Sequence, residues 1–560
     1  MKKIIYIILF FTLFVAACKK GLETEPLDLL TEDRIFDPVD TSGTYAQQYL
    51  NDIYANLPTG FNRIGGNLLD AATDDAIPSQ DGTSIENLGK GQINSGTNPD
   101  DAWSKNYTSI QKVNLFLSKI DIVPRDVATK TLWKADARFL RVLSYFELLK
   151  RYGGVPLVGD SVFKATDNIQ IKRNTFEECV NYIVKECDAI KTIERPDPVS
   201  SSDWGRISRG IVYTLRAKVL LYAASPLFNG GSGSSNGLQG YPAYDKERWN
   251  LAVQAAKDVI NLNVYGLETS YTTIFTTRRS ALAKPEVILA YLRAVTTDVE
   301  ANNGPIGFTN AAEGDGKTSP TQDLVDAFPM LNGKAITDAT SGYNAAAPYT
   351  GRDKRLDNTV LYNGVTWLSK PLETFVGGIS NPTRNVVKTK TGYYMRKFMA
   401  DFSAATQYAN KDHNFVIFRY ADVMLMNAEA LNEYNASPTA EVYQVLKDIR
   451  KRAGITVGTD GLYGLKANMT QLEMRDAIRN ERRIEMAFEE QRFWDLRRWK
   501  IAETALNKSL SGMKITKTGT VFTYETVVAG QVIFPTRMYL YPIPYSELSK
   551  NRSLIQNSGW

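Results

Sequence analysis

Apolar residues recur along this chain at the three- and four-residue spacing of helices packed on a core. Trp103, Tyr107, Ile110, Asn114 and Leu117 predict a helix over Trp103 to Ile120. Phe139, Leu143, Phe146 and Leu149 predict another, which Gly153-Gly154 and Pro156 bring to a stop. Further helices are expected over Asp40 to Leu57, Ile207 to Ser225, Asp245 to Leu262 with Asp245 as N-cap, and Glu441 to Ala453 before Gly454. Ala217, Ala223 and Ala224 are small enough for close helix approach. The helices arrive in pairs, without a clean repeat of fixed length.

The most telling stretch is Asp476 to Lys500, DAIRNERRIEMAFEEQRFWDLRRWK. It lacks Gly and Pro and reads as one helix. Ile484, Ala487, Phe488 and Leu496 share a broad apolar face, with Ile478 and Trp499 at its edge. Glu481, Arg492 and Asp495 project into that same sector. Charges on a core face are costly unless paired, and the planar fork of Arg suits pairing with carboxylates. The leading reading is therefore a structural charge network through Glu481, Arg492 and Asp495. A nucleic-acid surface is disfavoured, because acids interleave with every Arg cluster. A catalytic carboxylate pair, Glu481 with Glu485, is the third reading.

ERRIEMAFEEQRFWDLRRWK resembles the C-terminal hallmark of the SusD/RagB family of outer-membrane nutrient-binding lipoproteins (starch-binding-protein-like). ARFLRVLSYFELLKRYGGVPLV, TGYYMRKFM, FRYADVMLMNAEALNEYN, YLYPIPYSEL and QNSGW resemble family strings too, in the family's order. The resemblance implies a mostly α fold, a tetratricopeptide-like helical repeat scaffold with long inserted loops and minor β-hairpins. It implies a non-enzymatic, surface-exposed lipoprotein that binds glycans or other nutrients and delivers them to a SusC-like TonB-dependent transporter. Two alternatives stand beside it: a secreted glycoside hydrolase, and a transporter-associated subunit that binds peptides.

Residues 58–100 and 297–350 depart from the family strings and are rich in turn residues. Asn229 to Gly240 is a further Gly/Ser/Asn insertion, expected as an exposed loop. Asn358 to Leu368 reads as a hairpin turning at Asn363-Gly364, and Gly519 to Phe534 as another. Long irregular segments on a rigid scaffold are where binding sites usually sit. Sugars offer C–H faces to aromatic rings and hydroxyls to polar side chains. Asp75, Asn303, Phe308, Tyr343 and Trp367 are the candidate ligand-binding residues, with Trp367 expected as an exposed ring.

The N-terminus changes the cellular picture. Met1-Lys2-Lys3, the apolar run Ile4 to Val15 and Ala16-Ala17 form a secretory signal peptide over residues 1–17. Cys18 follows as a lipidation site, and its acyl chains would anchor the protein to the outer membrane, facing the exterior. Lys19-Lys20 come directly after Cys18, and acids only at Glu23 and Glu25; an ordinary signal peptide with a chance Cys is the alternative. Gly21 to Phe36 reads as an extended lead-in. No linker divides residues 18–560, so a single domain is expected, with an N-terminal helical part (18–296) and a C-terminal part bearing the ligand loops (297–560).

Composition excludes several classes. Losing Lys2 and Lys3 with the signal lowers the formal charge of +5 by two, so no polyanionic partner such as nucleic acid is implied. Cys179 and Cys187 sit eight residues apart on one predicted helix, ~12 Å of rise and too far to bridge. His413 is the only histidine, which rules out a multi-histidine zinc site. No cofactor motif is present.

Overall fold

The computed structural model describes residues 31–164, 166–233, 235–277, 282–308, 314–384, 386–410 and 413–560. The signal peptide, Cys18 and the lead-in up to residue 30 lie outside the described residues. Where the lead-in enters the structure it is helical, not extended: Glu32–Ile35 forms one turn. Phe36 then packs edge-on against Tyr49 and Phe116 at 5.7 and 6.1 Å between ring centres.

Among the described residues, ten helices reach eight residues or more. Thr44–Tyr54 (α1) leads into Trp103–Lys119 (α2), Val127–Tyr152 (α3), Phe176–Ile190 (α4), Arg209–Ala224 (α5) and Glu247–Asn261 (α6). From α2 to α6 each packs on the next, and α6 packs on Tyr420–Tyr434 (α7), which receives Ala440–Arg452 (α8) and Gln471–Glu485 (α9). Gln491–Arg498 (α10) returns to the turn Leu69–Ala72. The result is the expected mostly α, tetratricopeptide-like stack.

Local sequence explains the ends. Thr175 and Thr470 form capping boxes with Glu178 and Glu473, each satisfying two otherwise orphaned donors. Helix α3 stops at Gly153, whose φ of 78° brings its Cα so near the Leu238 carbonyl that a Cβ would sit 2.5 Å from that oxygen. Ala217, Ala223 and Ala224 are buried where α5 meets its neighbours. Cys179 and Cys187 are buried and unbridged.

The jump from α6 to α7 makes the chain between them an excursion from the stack. Its base is closed by Val287–Tyr291 pairing antiparallel with Phe415–Arg419. Its loops are stitched to the other irregular segment: Ala76–Pro78 pairs antiparallel with Thr318–Pro320. Thr321 Oγ1 donates to the Asp74 carbonyl at 2.6 Å, and Asn303 Nδ2 to Asn62 Oδ1 at 2.8 Å. Residues 58–100 and 297–350, the two segments outside the family strings, thus form one body. The Asn229 to Gly240 insertion is anchored as well, with Asn229 and Leu238 buried.

Three expectations need correction. Asp476 to Lys500 is two helices, because φ turns positive at Phe488 (63°) and Glu490 (59°). The Glu485 carbonyl accepts from Arg419, Tyr271 and Lys397 at 2.8, 2.8 and 3.2 Å, so side chains take it up. The Phe488 N–H goes to Asp70 Oδ1 at 3.2 Å. The hairpin at Asn363-Gly364 turns instead at Leu368-Ser369, both left-handed at φ 48° and 64°, with Trp367 opposite Lys370. Val360–Leu361, its expected first strand, pairs with Tyr394–Met395. The last hairpin begins earlier than expected, joining Ser509–Thr518 to Val521–Gln531 around Gly519.

Candidate functional site

Two charged neighbourhoods could carry function, and their chemistry separates them. The first is buried around α9. Arg419 is wholly enclosed and meets Glu286 and Glu485 through Nη1 at 2.8 and 2.7 Å, and Glu489 through Nε at 2.8 Å. Arg355 reaches Asp353, Glu481 and Glu485 at 2.7, 2.8 and 2.9 Å. Arg450 takes the other Glu481 oxygen at 2.8 Å. Burial pushes the Glu485 carboxyl pKa up, but Arg452, Arg419 and Arg355 outweigh it and hold it well below the usual range. Glu481 is also lowered, through Arg355 and Arg450 against its burial. A carboxylate clamped in this way has no free oxygen or proton to offer a substrate, so Glu481 and Glu485 act as mortar between elements.

The second neighbourhood is open. On the excursion, Asp357, Tyr362, Trp367, Arg396, Asp401 and Phe402 border a cleft of about 510 Å³. Tyr362 stacks on Tyr349 with ring centres 4.1 Å apart, and its hydroxyl donates to Asp357 Oδ1 at 2.6 Å. Trp367 is held edge-on by Phe402 at 6.3 Å. Arg396 pairs with Oδ1 of Asp401, whose side chain is 89 % exposed. An aromatic wall beside a solvent-facing ion pair offers both an apolar face and charge-assisted hydrogen bonds.

A larger hollow of about 780 Å³ lies between α2, the 156–171 segment and the turn Tyr545–Lys550. Much of its polar lining is already satisfied from within. Gln111 exchanges two hydrogen bonds with the Phe163 backbone at 2.8 and 3.2 Å, and the Tyr107 hydroxyl donates to the Pro156 carbonyl at 2.8 Å. The smaller cleft has the stronger claim because its ion pair faces solvent beside the half-buried ring of Tyr362.

Comparison with known proteins decides the family. A model described as the SusD family matches residues 285–560, and one described as starch-binding associating with outer membrane matches residues 41–221. The chain belongs to the SusD/RagB family. It is 22% identical to SusD-like protein P2 of Formosa agariphila, over 99% of each chain. It superposes on the crystal structure of a SusD-like protein from Bacteroides fragilis with a TM-score of 0.78, at 24% identity, covering 96% of this chain and 100% of that one. A solved laminarin binding SusD-like protein shares the fold with a TM-score of 0.64, at 20% identity, over 92% and 99%.

Within this SusD-family frame the expected ligand residues scatter. Asp75 is buried, with Oδ1 accepting from Arg483 Nε at 2.7 Å. Burial leads in raising its pKa and Asp74 adds to it, against Arg483. Asn303 is buried on Asn62, and Phe308 is 8 % exposed. Tyr343 is half-buried with the Arg352 guanidinium 5.5 Å from its ring centre. Trp367 borders the cleft but is 2 % exposed, which corrects the expectation of a free ring: Phe402 and Tyr408 close over it. The loops bury one another, so their aromatics are packing residues first.

Glu481, Arg492 and Asp495 are all ion-paired, but in three separate clusters. Glu481 serves Arg355 and Arg450, and Asp495 serves Arg482 and Arg498 at 2.6 and 2.8 Å. Arg492 serves Asp74. Sequence reasoning missed Tyr362, Arg396 and Asp401. Tyr362 adjoins the Asn-Gly pair that marked a turn, whereas Arg396 lies inside a family string and gave no signal of its own.

Proposed function

We propose that the protein binds glycans at the outer membrane without catalysis and passes them to a SusC-like TonB-dependent transporter. The observation that carries this reading is the cleft on the excursion, with the half-buried Tyr362 as its aromatic face and Arg396–Asp401 as its polar edge. Cyclic sugars suit such a face, and a rigidly packed ring has little freedom left to lose on binding. A laminarin binding relative on the same fold supports a carbohydrate as the ligand class. Of the remaining sequence candidates Tyr343 alone is not fully buried, which leaves it as the one a ligand could reach without rearrangement. Attachment in this reading is through acylation of Cys18; among the described residues no helix is long and apolar enough to cross a membrane.

Isothermal titration of the whole chain against a panel of neutral oligosaccharides tests the binding claim. Binding that weakens in Tyr362→Ala, by about five- to 150-fold, is the expected result. Co-purification of the transporter from outer membranes tests the delivery claim. Turnover of any panel member would instead favour a hydrolase.

A further inference from the structure

Helix α9 carries one guanidinium that the surrounding ion pairs leave out. Its neighbours are matched. Arg475 grips both oxygens of Glu433 at 2.6 Å. Arg498 holds both oxygens of Glu429, one of which also accepts the Trp499 indole N–H at 2.8 Å. Lys218 and Arg482 share Asp422, and Arg482 and Arg498 share Asp495. Among the described residues Arg479 has no hydrogen bond and no ion pair, and its Nε is buried without an acceptor. Its guanidinium instead lies 5.0 Å from the ring centre of Trp499. Burial leads in drawing its pKa down; Glu429 and Glu433 oppose this, and Arg475 and Arg498 add to it.

Arg479 borders a cavity of about 280 Å³, walled by Pro226, Trp249, Ile478 and Trp499. Glu429, Glu433 and Arg475 reach the same cavity, but their mutual pairs and Arg498 engage them. Arg479 is thus the guanidinium left without a hydrogen-bonded acceptor, a partly buried side chain whose donors form a planar fork and which Glu429 and Glu433 reach only through space. Tyr244, 62 % exposed, stands beside Trp249.

We propose that this cavity binds a singly charged oxyanion on a compact ring: a sugar carboxylate or a sugar sulfate ester. Both groups meet an arginine fork through two oxygens, and either would match its single charge, which a dianion would exceed. Only the sugar ring rests on the glycan reading. The anion requirement rests on Arg479. The site is distinct from the cleft, being built on α6, α7 and α9 rather than on the excursion.

Isothermal titration of the whole chain with glucuronate, glucose 6-sulfate and glucose is the test. Binding of at least one acid, no binding of glucose at the same concentrations, and a loss of about tenfold or more in Arg479→Gln are expected. The two acids separate carboxylate from sulfate. Binding of neither acid, equal binding of glucose, or unchanged affinity in a folded Arg479→Gln overturns the proposal. If Arg479→Gln does not fold, Arg479→Lys replaces it, with at least a threefold loss expected and unchanged affinity overturning the proposal equally. Tyr362→Ala should keep the acid binding. Failure of every neutral oligosaccharide on wild type would sink the glycan reading and leave the acid titration to decide this one.

Discussion

Arg492 holds Asp74 with both ends of its fork, Nε to Oδ1 at 2.9 Å and Nη2 to Oδ2 at 2.8 Å, across 418 positions of sequence. Arg483 adds a third contact to the same carboxylate at 3.2 Å. Burial pushes Asp74 up in pKa, but the two guanidiniums outweigh it and hold it far below the usual carboxylate range. Arg492 from α10 and Arg483 from α9 together staple the last two helices of the stack to the irregular body formed by residues 58–100 and 297–350.

Breaking that staple should cost stability. Arg492→Ala leaves Asp74 to Arg483 alone, and Asp495→Ala removes one of two carboxylates from Arg482 and Arg498, which keep Asp422 and Glu429. Each is expected to destabilise the fold by ~1–3 kcal/mol, with no specific loss of ligand binding once melting is allowed for. Thermal unfolding with parallel titration checks this. A variant that melts like wild type yet binds nothing would make the helix a functional surface.

Acid should unfold the protein through its clamped carboxylates. Glu147 is a measurable example: burial raises its pKa, but Lys150 and Arg151 outweigh that and lower it to about 2. A folded pKa below the unfolded one means the unfolded chain binds more protons in between. The stabilisation is therefore complete above the unfolded value and is lost as pH falls through it towards about 2. Glu147→Gln should flatten denaturant midpoints measured from pH 6 to pH 3, by on the order of 1–3 kcal/mol. An unchanged pH slope would exclude the pairing.

Trp367 and Tyr362 should part company. Trp367→Ala opens a buried cavity between Phe402 and Tyr408 and should cost ~3–5 kcal/mol of stability. Tyr362→Ala removes a half-buried ring and should instead weaken glycan binding, by ~1–3 kcal/mol on the analogy of base stacking, with a smaller change in melting temperature. Reversed outcomes, with Trp367→Ala stable and unable to bind, would relocate the stacking surface to Trp367.

Anchoring has its own test. Cys18→Ala should release the protein from membrane fractions or leave an uncleaved signal. Mass spectrometry of the wild-type N-terminal peptide should show acyl mass on Cys18, and its absence would end the lipoprotein proposal.

Much of the fold was legible because helices announce themselves locally. Spacing of three and four residues and Gly153 before Pro156 depend on neighbours within a turn or two. The sequence also determined that charges on the core face of Asp476 to Lys500 needed partners, since burial penalises a bare charge; carboxylates serve most of them, whereas Arg497 is met by the Phe493 carbonyl and two rings and Arg479 by the Trp499 ring. Tertiary structure alone decided the partners. Asp74, not a residue nearby in sequence, takes Arg492. The helix breaks at Phe488 because Arg419, Tyr271 and Lys397 claim the Glu485 carbonyl from other elements. Val360–Leu361 leaves its expected partner for Tyr394–Met395, and Trp367 goes under Phe402 and Tyr408. Strand pairing, burial of a loop ring and the acceptor that a guanidinium finds are long-range contacts. Their energies depend on which distant segments meet, and periodicity along the chain carries no record of that meeting.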